Sequence, residues 1–201
     1  MKKLLYLFIA FTSFGVSAQT KSEEYYDRGN AKAELKDYYG AIADYTKAIE
    51  LDTNNAAAYY NRGFSKENLK DYYAAIADYT KAIEFYPNSV RIYFRRGFSK
   101  EELKDYYGAK ADYTKVIELD PNLEIAYYNR GKAKENLKDY YGAIADFSKA
   151  IELDTNNAGN YYMRGFSKYY LKDLNGACVD WKEAAKLGDA DAAKLVRDEC
   201  N

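Results

Sequence analysis

Two charged residue types recur along the chain, and each series has five members. The basic series is Arg28, Arg62, Arg96, Arg130 and Arg164, and the acidic series is Asp44, Asp78, Asp112, Asp146 and Asp180. Guanidinium groups in such a series can bind an acidic ligand, or each can form a bidentate ion pair with a carboxylate of the chain itself. The choice depends on the elements that carry the two series.

The composition excludes several kinds of catalytic site and metal site. The chain has 201 residues, 24 Tyr, 2 Cys and no His. It therefore lacks a histidine general base, a Ser-His-Asp triad, a His-ligated zinc site and a four-thiolate metal site. The formal net charge of −1 gives no basic surface for nucleic acid. We expect a folded, non-catalytic protein with no cofactor, no metal and no nucleic-acid partner.

Residues 1–18 have the pattern of a bacterial secretory signal peptide. Lys2 and Lys3 precede an apolar run, and small residues at Val16 and Ala18 mark a cleavage site after Ala18. The run is shorter than the roughly 20 residues of a membrane-spanning helix. We expect an exported protein, periplasmic or secreted, with no stable membrane insertion after cleavage, and a short segment at 19–21 before the folded part.

The rest of the chain repeats with a period of 34 residues. The string that begins at Tyr25 and ends at Gly29 returns in closely similar form at 59–63, 93–97, 127–131 and 161–165. Five repeats follow without insertion, at 22–55, 56–89, 90–123, 124–157 and 158–191. Below, positions within a repeat are numbered from 1, which is Ser22 in the first repeat.

Each repeat is predicted to form two short helices. In the first repeat they run from about Tyr25 to Leu35 and from about Tyr38 to Leu51, and apolar residues of the second recur on one helical face. A single helix pair of this size buries too little apolar surface to fold alone, so the pairs must stack on their neighbours.

The period and the residue pattern resemble the tetratricopeptide repeat (TPR) family. The first repeat has the family's aromatic residues and small residues at Tyr25, Gly29, Ala41, Tyr45 and Ala48, and all five repeats have equivalents. The usual leucine at position 7 is arginine here, and the usual tyrosine at position 11 is lysine. The resemblance implies an all-α, right-handed α-solenoid of five helix-turn-helix repeats, in which the signature positions are structural.

The resemblance also places the two charged series on facing helices. Position 7 normally faces the second helix of the same repeat, and position 23, which holds the aspartates, lies on that helix. A charge on a packing face must be paired, so we favour five structural Arg–Asp pairs over a ladder for acidic ligands. The lysines at position 11 are expected to be solvated, or to bury the side-chain stem while the amine reaches solvent: Lys32, Lys66, Lys100, Lys134 and Lys168.

The resemblance implies that the first helices line a concave groove. Aromatic side chains occupy position 5 in every repeat and position 9 in three, and one helical turn separates these positions. They would form an aromatic strip for a protein or peptide partner, unless the rings only pack against the next repeat. The residues are Tyr26, Tyr60, Phe94, Tyr128 and Tyr162 at position 5, and Phe64, Phe98 and Phe166 at position 9.

Charged side chains would complete the groove, with a basic spot at Arg91 and Arg95 in the third repeat. The other candidates are Lys132 and the acidic residues Glu23, Asp27, Glu34, Glu67, Glu101, Glu102 and Glu135. The family's clamp for a peptide carboxylate needs lysine at position 5, which is aromatic here, so that binding mode is not supported.

The C-terminal end departs from the repeat pattern. Asp189 is predicted to cap a last helix at about 190–199, within a C-terminal segment of 190–201 that would cover the apolar end of the stack. Cys178 and Cys200 are the only cysteines of a chain expected to be exported, so we expect a disulfide between them. Two free thiols are the alternative.

The sequence thus predicts a non-catalytic protein-interaction scaffold of the cell envelope. Its partner would be a protein or peptide bound in the aromatic groove. The alternatives are a glycan- or peptidoglycan-binding module, which the many aromatic residues would suit, and a structural protein that self-associates through its open repeat edges. Tyrosines at position 18 are expected at an exposed edge: Tyr39, Tyr73, Tyr107 and Tyr141.

Overall fold

A computed structural model describes residues 19–200 of the chain. Within this range the backbone forms eleven α-helices and no strand, which confirms the predicted all-α class. Helix α1 covers residues 19–34 of the described part. The others are α2 (Tyr38–Leu51), α3 (Ala56–Asn68), α4 (Tyr72–Phe85), α5 (Val90–Glu102), α6 (Tyr106–Leu119), α7 (Glu124–Asn136), α8 (Tyr140–Leu153), α9 (Ala158–Tyr170), α10 (Leu174–Lys186) and α11 (Ala190–Glu199).

The predicted signal peptide lies outside the described residues. Residues 19–21, expected to be a separate segment, instead belong to α1. The bounds of α2, Tyr38 to Leu51, are those predicted from its apolar pattern. Asp37 accepts a hydrogen bond from the backbone N–H of Gly40 and so caps the first turn of α2.

The turn between the two helices of each repeat contains a lysine with a left-handed backbone. Its φ lies between 61° and 67° at Lys36, Lys70, Lys104, Lys138 and Lys172. This conformation lets the chain reverse direction directly after the first helix, as glycine does in many proteins. The next residue is the aspartate that caps the second helix, so two adjacent residues define the turn.

The described residues form two compact units, divided between Ser99 and Lys100 within α5. In the first unit, one core cluster joins Ala48, Ile49 and Ala58, and a second contains Ala75, Tyr79, Ala82 and Ile92. In the second unit, α10 and α11 build a cluster around Trp181, which is fully buried.

Candidate functional site

Large buried aromatic residues at position 24 pack beneath the position-5 rings of the candidate site. Each is fully buried, or nearly so: Tyr45, Tyr79, Tyr113, Phe147 and Trp181. The glycine at position 8 allows this packing, because a Cβ on Gly29 would lie 2.7 Å from the Tyr45 ring and one on Gly165 would lie 2.5 Å from the Trp181 indole nitrogen. Only glycine lets the two helices of a repeat enclose such a large ring.

The position-5 rings lie on this aromatic layer and remain half-buried. Tyr26 packs on Tyr45 with ring centroids 5.9 Å apart, and Tyr60 packs on Tyr79 at 5.8 Å. In the second unit Tyr128 packs on Phe147, also at 5.8 Å. The rings therefore pack within the repeat and still leave part of their surface open. Phe94 is half-buried as well.

The position-9 rings do not share one environment. Phe64 lies beneath the guanidinium of Arg95, 4.8 Å from the ring centroid. Phe98 packs edge-on against Tyr72, whose centroid is 6.4 Å away. In the second unit Phe166 lies between Tyr162, at 4.9 Å, and Trp181, at 5.4 Å. Sequence spacing alone could not separate these surroundings, because Phe64 and Phe98 contact side chains of a neighbouring repeat, whereas Phe166 contacts rings of its own repeat.

A cleft in the first unit combines two of the aromatic rings with polar groups. Tyr26, Tyr60, Asn61 and Arg91 line it, together with Ala56, Ala57, Tyr86, Ser89 and Ile92. The amide of Asn61 donates to the Tyr26 hydroxyl at 3.1 Å. The guanidinium of Arg91 lies 5.3 Å from the centre of the Tyr60 ring, and the structure gives it no carboxylate partner within residues 19–200. The cleft thus holds a cation that is available to a ligand.

Arg95 differs from Arg91 because an internal carboxylate already pairs with it. Its Nη1 donates to Glu67 at 2.8 Å. Glu67, expected to line the groove, is instead only 7% exposed, and it also accepts from the hydroxyls of Tyr79, at 2.9 Å, and Ser99, at 3.2 Å. Burial, reinforced by the Glu67 carboxylate, raises the pKa of Tyr79. Glu67 is therefore the centre of an internal network.

The equivalent glutamates in the second unit have fewer partners. Glu101 accepts from the hydroxyl of Tyr113 at 3.0 Å and from Nζ of Lys132 at 2.8 Å. Glu135 is half-buried and accepts from Ser167 at 3.3 Å. Burial raises the pKa of Glu135.

The position-23 aspartates are buried, and arginine side chains pair with Asp44, Asp78, Asp146 and Asp180. Arg62 donates to Asp78 from Nε at 2.9 Å and from Nη2 at 2.7 Å. Arg28 with Asp44, Arg130 with Asp146, and Arg164 with Asp180 form the same bidentate arrangement. The pair of Arg96 with Asp112 stays a prediction. The Arg28 guanidinium lowers the pKa of Asp44 to about 2.

The position-11 lysines contradict the expectation that they are solvated. Their amines donate to the same aspartates at 2.7–2.8 Å, in the pairs Lys32–Asp44, Lys66–Asp78, Lys100–Asp112, Lys134–Asp146 and Lys168–Asp180. A buried carboxylate has more acceptor sites than one guanidinium fills, and the lysine occupies the remainder. The sequence pointed to this contact, since lysine at position 11 recurs together with the aspartate in every repeat.

The arginines also contact the preceding repeat. Arg62 donates to the hydroxyl of Thr46 at 3.1 Å, and Arg164 donates to that of Ser148 at 3.0 Å. The guanidinium of Arg62 lies 5.6 Å from the Tyr59 ring centre. Each of these arginines contacts a carboxylate, a hydroxyl and an aromatic face, so its role is structural.

Cys178 and Cys200 form a disulfide, with Cα atoms 5.6 Å apart. It links α10 to the end of α11, whose Ala192 is fully buried against the Trp181 cluster. In residues 19–200 no group of three or more Cys, Asp or Glu residues is arranged to hold a metal ion. None of the described helices is both long enough and apolar enough to span a membrane.

Models of one repeat family match most of the chain. A model described as TPR repeat matches residues 29–70, and models described as tetratricopeptide repeat match 56–89, 90–123 and 125–157. The chain belongs to the tetratricopeptide repeat family. No curated protein sequence matches it.

Solved structures share the fold of this TPR chain at low sequence identity. YrrB, described as a TPR protein with an unusual peptide-binding site, is 23% identical, with a TM-score of 0.82 over 94% of this chain and 98% of its own. MamA is 21% identical, with a TM-score of 0.81 over 86% of this chain and 94% of its own. A MamA fragment from Desulfovibrio magneticus RS-1 is 22% identical, with a TM-score of 0.79 and coverages of 83% and 94%.

Proposed function

We propose that this TPR chain is a non-catalytic interaction scaffold of the cell envelope that binds a peptide or protein. Each unit would offer its own binding surface, made of its half-buried rings at positions 5 and 9, and the surface of the first unit would include Arg91. Arg95 would line this surface without offering a free charge to the ligand, because Glu67 already pairs with it. YrrB, which has the same fold, is described as having a peptide-binding site.

The cleft of the first unit is the observation that carries this proposal. Tyr26 and Tyr60 offer partly exposed rings, and the amide oxygen of Asn61 can accept a hydrogen bond, since its amide nitrogen already donates to Tyr26 and Asn30. Arg91 offers a guanidinium that has no carboxylate partner among residues 19–200. Aromatic rings, arginine and a few polar groups in one cleft are typical of the residues that dominate peptide and protein interfaces.

The envelope location rests on two observations from different ends of the chain. Residues 1–18 have the pattern of a signal peptide. The Cys178–Cys200 disulfide suits an oxidising compartment such as the periplasm or the extracellular space. Detecting the mature protein by its N-terminal sequence in a periplasmic or culture fraction would test this, and an uncleaved cytoplasmic product would contradict it.

Peptide selection with defined variants tests the binding function. A displayed random-peptide library is selected on the purified protein, and the affinity of an enriched peptide is measured by fluorescence anisotropy. We expect Arg91→Ala or Tyr60→Ala to weaken binding at least tenfold. The controls Lys81→Ala and Tyr73→Ala, which change exposed side chains on α4, should leave affinity unchanged.

The outcomes separate this function from its competitors. Equal affinity of all four variants would place the site elsewhere and contradict the groove. Enrichment of no peptide would contradict peptide binding itself. Self-association without a ligand would show in sedimentation velocity as a concentration-dependent mass.

An exposed tyrosine series favours glycan binding as a second candidate function. Tyr39, Tyr73, Tyr107 and Tyr141 at position 18 are 71–78% exposed. Flat exposed rings can stack on sugar rings. Co-sedimentation with isolated peptidoglycan that is lost in Tyr73→Ser, while Arg91→Ala still binds, would favour a glycan ligand over a peptide.

A further inference from the structure

Three repeats have a glutamate at position 12, and the three differ in how many partners they have. Glu67 accepts from a tyrosine hydroxyl, a serine hydroxyl and an arginine. Glu101 accepts from a tyrosine hydroxyl and a lysine. Glu135 accepts only from the hydroxyl of Ser167, at 3.3 Å, among the described residues. Within residues 19–200, Glu135 thus lacks the tyrosine hydroxyl and the cation that donate hydrogen bonds to each of its two equivalents.

Particular substitutions remove these partners. Phe147 occupies position 24, where Tyr79 and Tyr113 supply a hydroxyl to the other two glutamates. Met163 occupies position 6 of the following repeat, where Arg95 reaches Glu67. Phe166 occupies position 9 of that repeat, the position from which Lys132 reaches Glu101. All three side chains are apolar, so none of them can donate the hydrogen bond that its equivalent donates to Glu67 or Glu101.

The surrounding charges do not compensate Glu135. Lys132 is close enough to favour its ionised form, but the Lys132 amine bonds to Glu101. Burial raises the pKa of the Tyr128 phenol. The carboxylates of Glu101, Glu124 and Glu135 oppose ionisation of this phenol and so raise its pKa further, while the Lys132 amine lowers it. A carboxylate removed from water without a paired cation is costly. This part of the second unit therefore has an excess of negative charge beside aromatic rings.

The two satisfied glutamates show what a suitable cation would contact. Arg95 pairs with Glu67 while lying 4.8 Å from the Phe64 ring centre. Lys132 pairs with Glu101 while lying 5.9 Å from the ring centre of Tyr128, at position 5 of its own repeat. In both, a cation lies between a carboxylate and an aromatic face. For Glu135, the ring equivalent to Tyr128 is Tyr162.

We propose that Glu135 is the anchor for a lysine or arginine side chain of the bound peptide, with Tyr162 as the aromatic wall of that subsite. The ligand's cation supplies the charge that Arg95 and Lys132 supply internally to the other two glutamates. The carboxylate selects for a cation, and the rings favour a side chain with an apolar stem. This inference rests on the proposed peptide-binding function and specifies one subsite of it.

The test combines peptide selection with a double-mutant cycle. Peptides selected on the purified protein should be enriched in lysine or arginine at one position. Replacing that residue by norleucine should weaken binding to the unchanged protein at least tenfold, the usual magnitude of one charged hydrogen bond. The same replacement should change affinity for Glu135→Gln less than twofold.

A second variant supplies the cation from within the chain. Met163→Arg places a guanidinium at the position from which Arg95 reaches Glu67, so it should occupy the subsite and remove the preference for a basic residue. Glu118→Gln, at an exposed glutamate of α6, is the matched control and should behave as the unchanged protein. Circular dichroism spectra of all variants verify that they are folded.

Each outcome decides between the two proposals. If norleucine weakens binding equally to the unchanged protein and to Glu135→Gln, the subsite assignment is wrong. Selected peptides without a basic preference would also overturn it, while leaving the peptide-binding function intact. If no peptide is enriched, the binding function and the subsite fail together.

Discussion

Glu67 and Glu135 occupy the same repeat position in different surroundings. Glu67 in the first unit is buried and accepts three hydrogen bonds, one of them from a cation. Glu135 in the second unit is half-buried and accepts one hydrogen bond from the part of the chain that the structure describes. The comparison shows that a shared fold does not give shared function, because side chains at positions 6, 9 and 24 determine whether a carboxylate is internal or open to a ligand.

The supporting framework is the same around both glutamates. Asp78 in the first unit and Asp146 in the second each accept from one arginine and one lysine, with nearly equal distances. The difference between Glu67 and Glu135 therefore cannot come from a distorted repeat.

The largest expected effect tests that shared framework. Asp78→Ala and Asp146→Ala each leave a guanidinium and an ammonium without their buried carboxylate, and each should lower the free energy of unfolding by about 3–5 kcal/mol. Urea unfolding monitored by circular dichroism measures it. A loss under 1 kcal/mol in one variant only would show that the framework differs between the units.

Reduction of the disulfide should destabilise the C-terminal helices α10 and α11 more than α2 and α3. The bond joins residues 22 apart in sequence, so its loss should cost about 3 kcal/mol in the chain-entropy model. Hydrogen exchange measured with and without reductant should show faster exchange in α10 and α11 than in α2 and α3. Equal acceleration in both regions would contradict the assignment of the bond to the C-terminal end alone.

Replacing each glutamate by glutamine gives the direct comparison. Glu67→Gln should lower stability by about 2 kcal/mol, because Arg95 loses its charged partner. Glu135→Gln should leave stability unchanged or raise it. The raised pKa of Glu135 means that its ionisation disfavours the folded state.

The pH dependence supplies the sign of that effect. Below the ordinary carboxyl pKa of 4.5, Glu135 is protonated in both the folded and the unfolded state. In that range Glu135→Gln should have the same melting temperature as the unchanged protein. As pH rises from there through the raised pKa, the unfolded state releases the Glu135 proton more readily than the folded state does. The free energy of unfolding of the unchanged protein therefore falls. The advantage of the variant should therefore grow between pH 4 and pH 7. Thermal melts that show the reverse trend would contradict the open carboxylate.

The smallest expected effect concerns the turns, which both units share. Lys70 and Lys172 have φ values of 62° and 67°, a conformation that costs roughly 1 kcal/mol for a side chain with a Cβ. Lys70→Gly and Lys172→Gly should each raise the free energy of unfolding by up to about 1 kcal/mol. Lys81→Gly, within α4, should lower it by a similar amount. Chemical denaturation of the three variants side by side checks both signs.

The fold was largely predictable because it is local and periodic. The 34-residue period is visible in the sequence itself. The aspartates that cap helices, such as Asp37, and the apolar face of α2 each depend on residues that are close together in the chain. The pairing of Arg62 with Asp78 was also predictable in kind, since both residues recur together and position 7 faces position 23.

The candidate site was less predictable because its properties depend on contacts between repeats. Glu67 and Glu135 have the same type and position, and only side chains in other helices distinguish them. Lys66 was expected in solvent, although its recurrence with Asp78 was a signal of pairing. The different environments of Phe64 and Phe98 likewise depend on neighbouring side chains, which periodicity does not specify.

A crystal structure of the protein with a selected lysine-containing peptide tests the central claim most directly. We predict that the peptide lies along the half-buried rings of the second unit and that its lysine Nζ lies within about 3 Å of a Glu135 carboxylate oxygen, beside Tyr162. A peptide bound with that lysine in solvent, or with Glu135 contacting no peptide atom, would contradict the account.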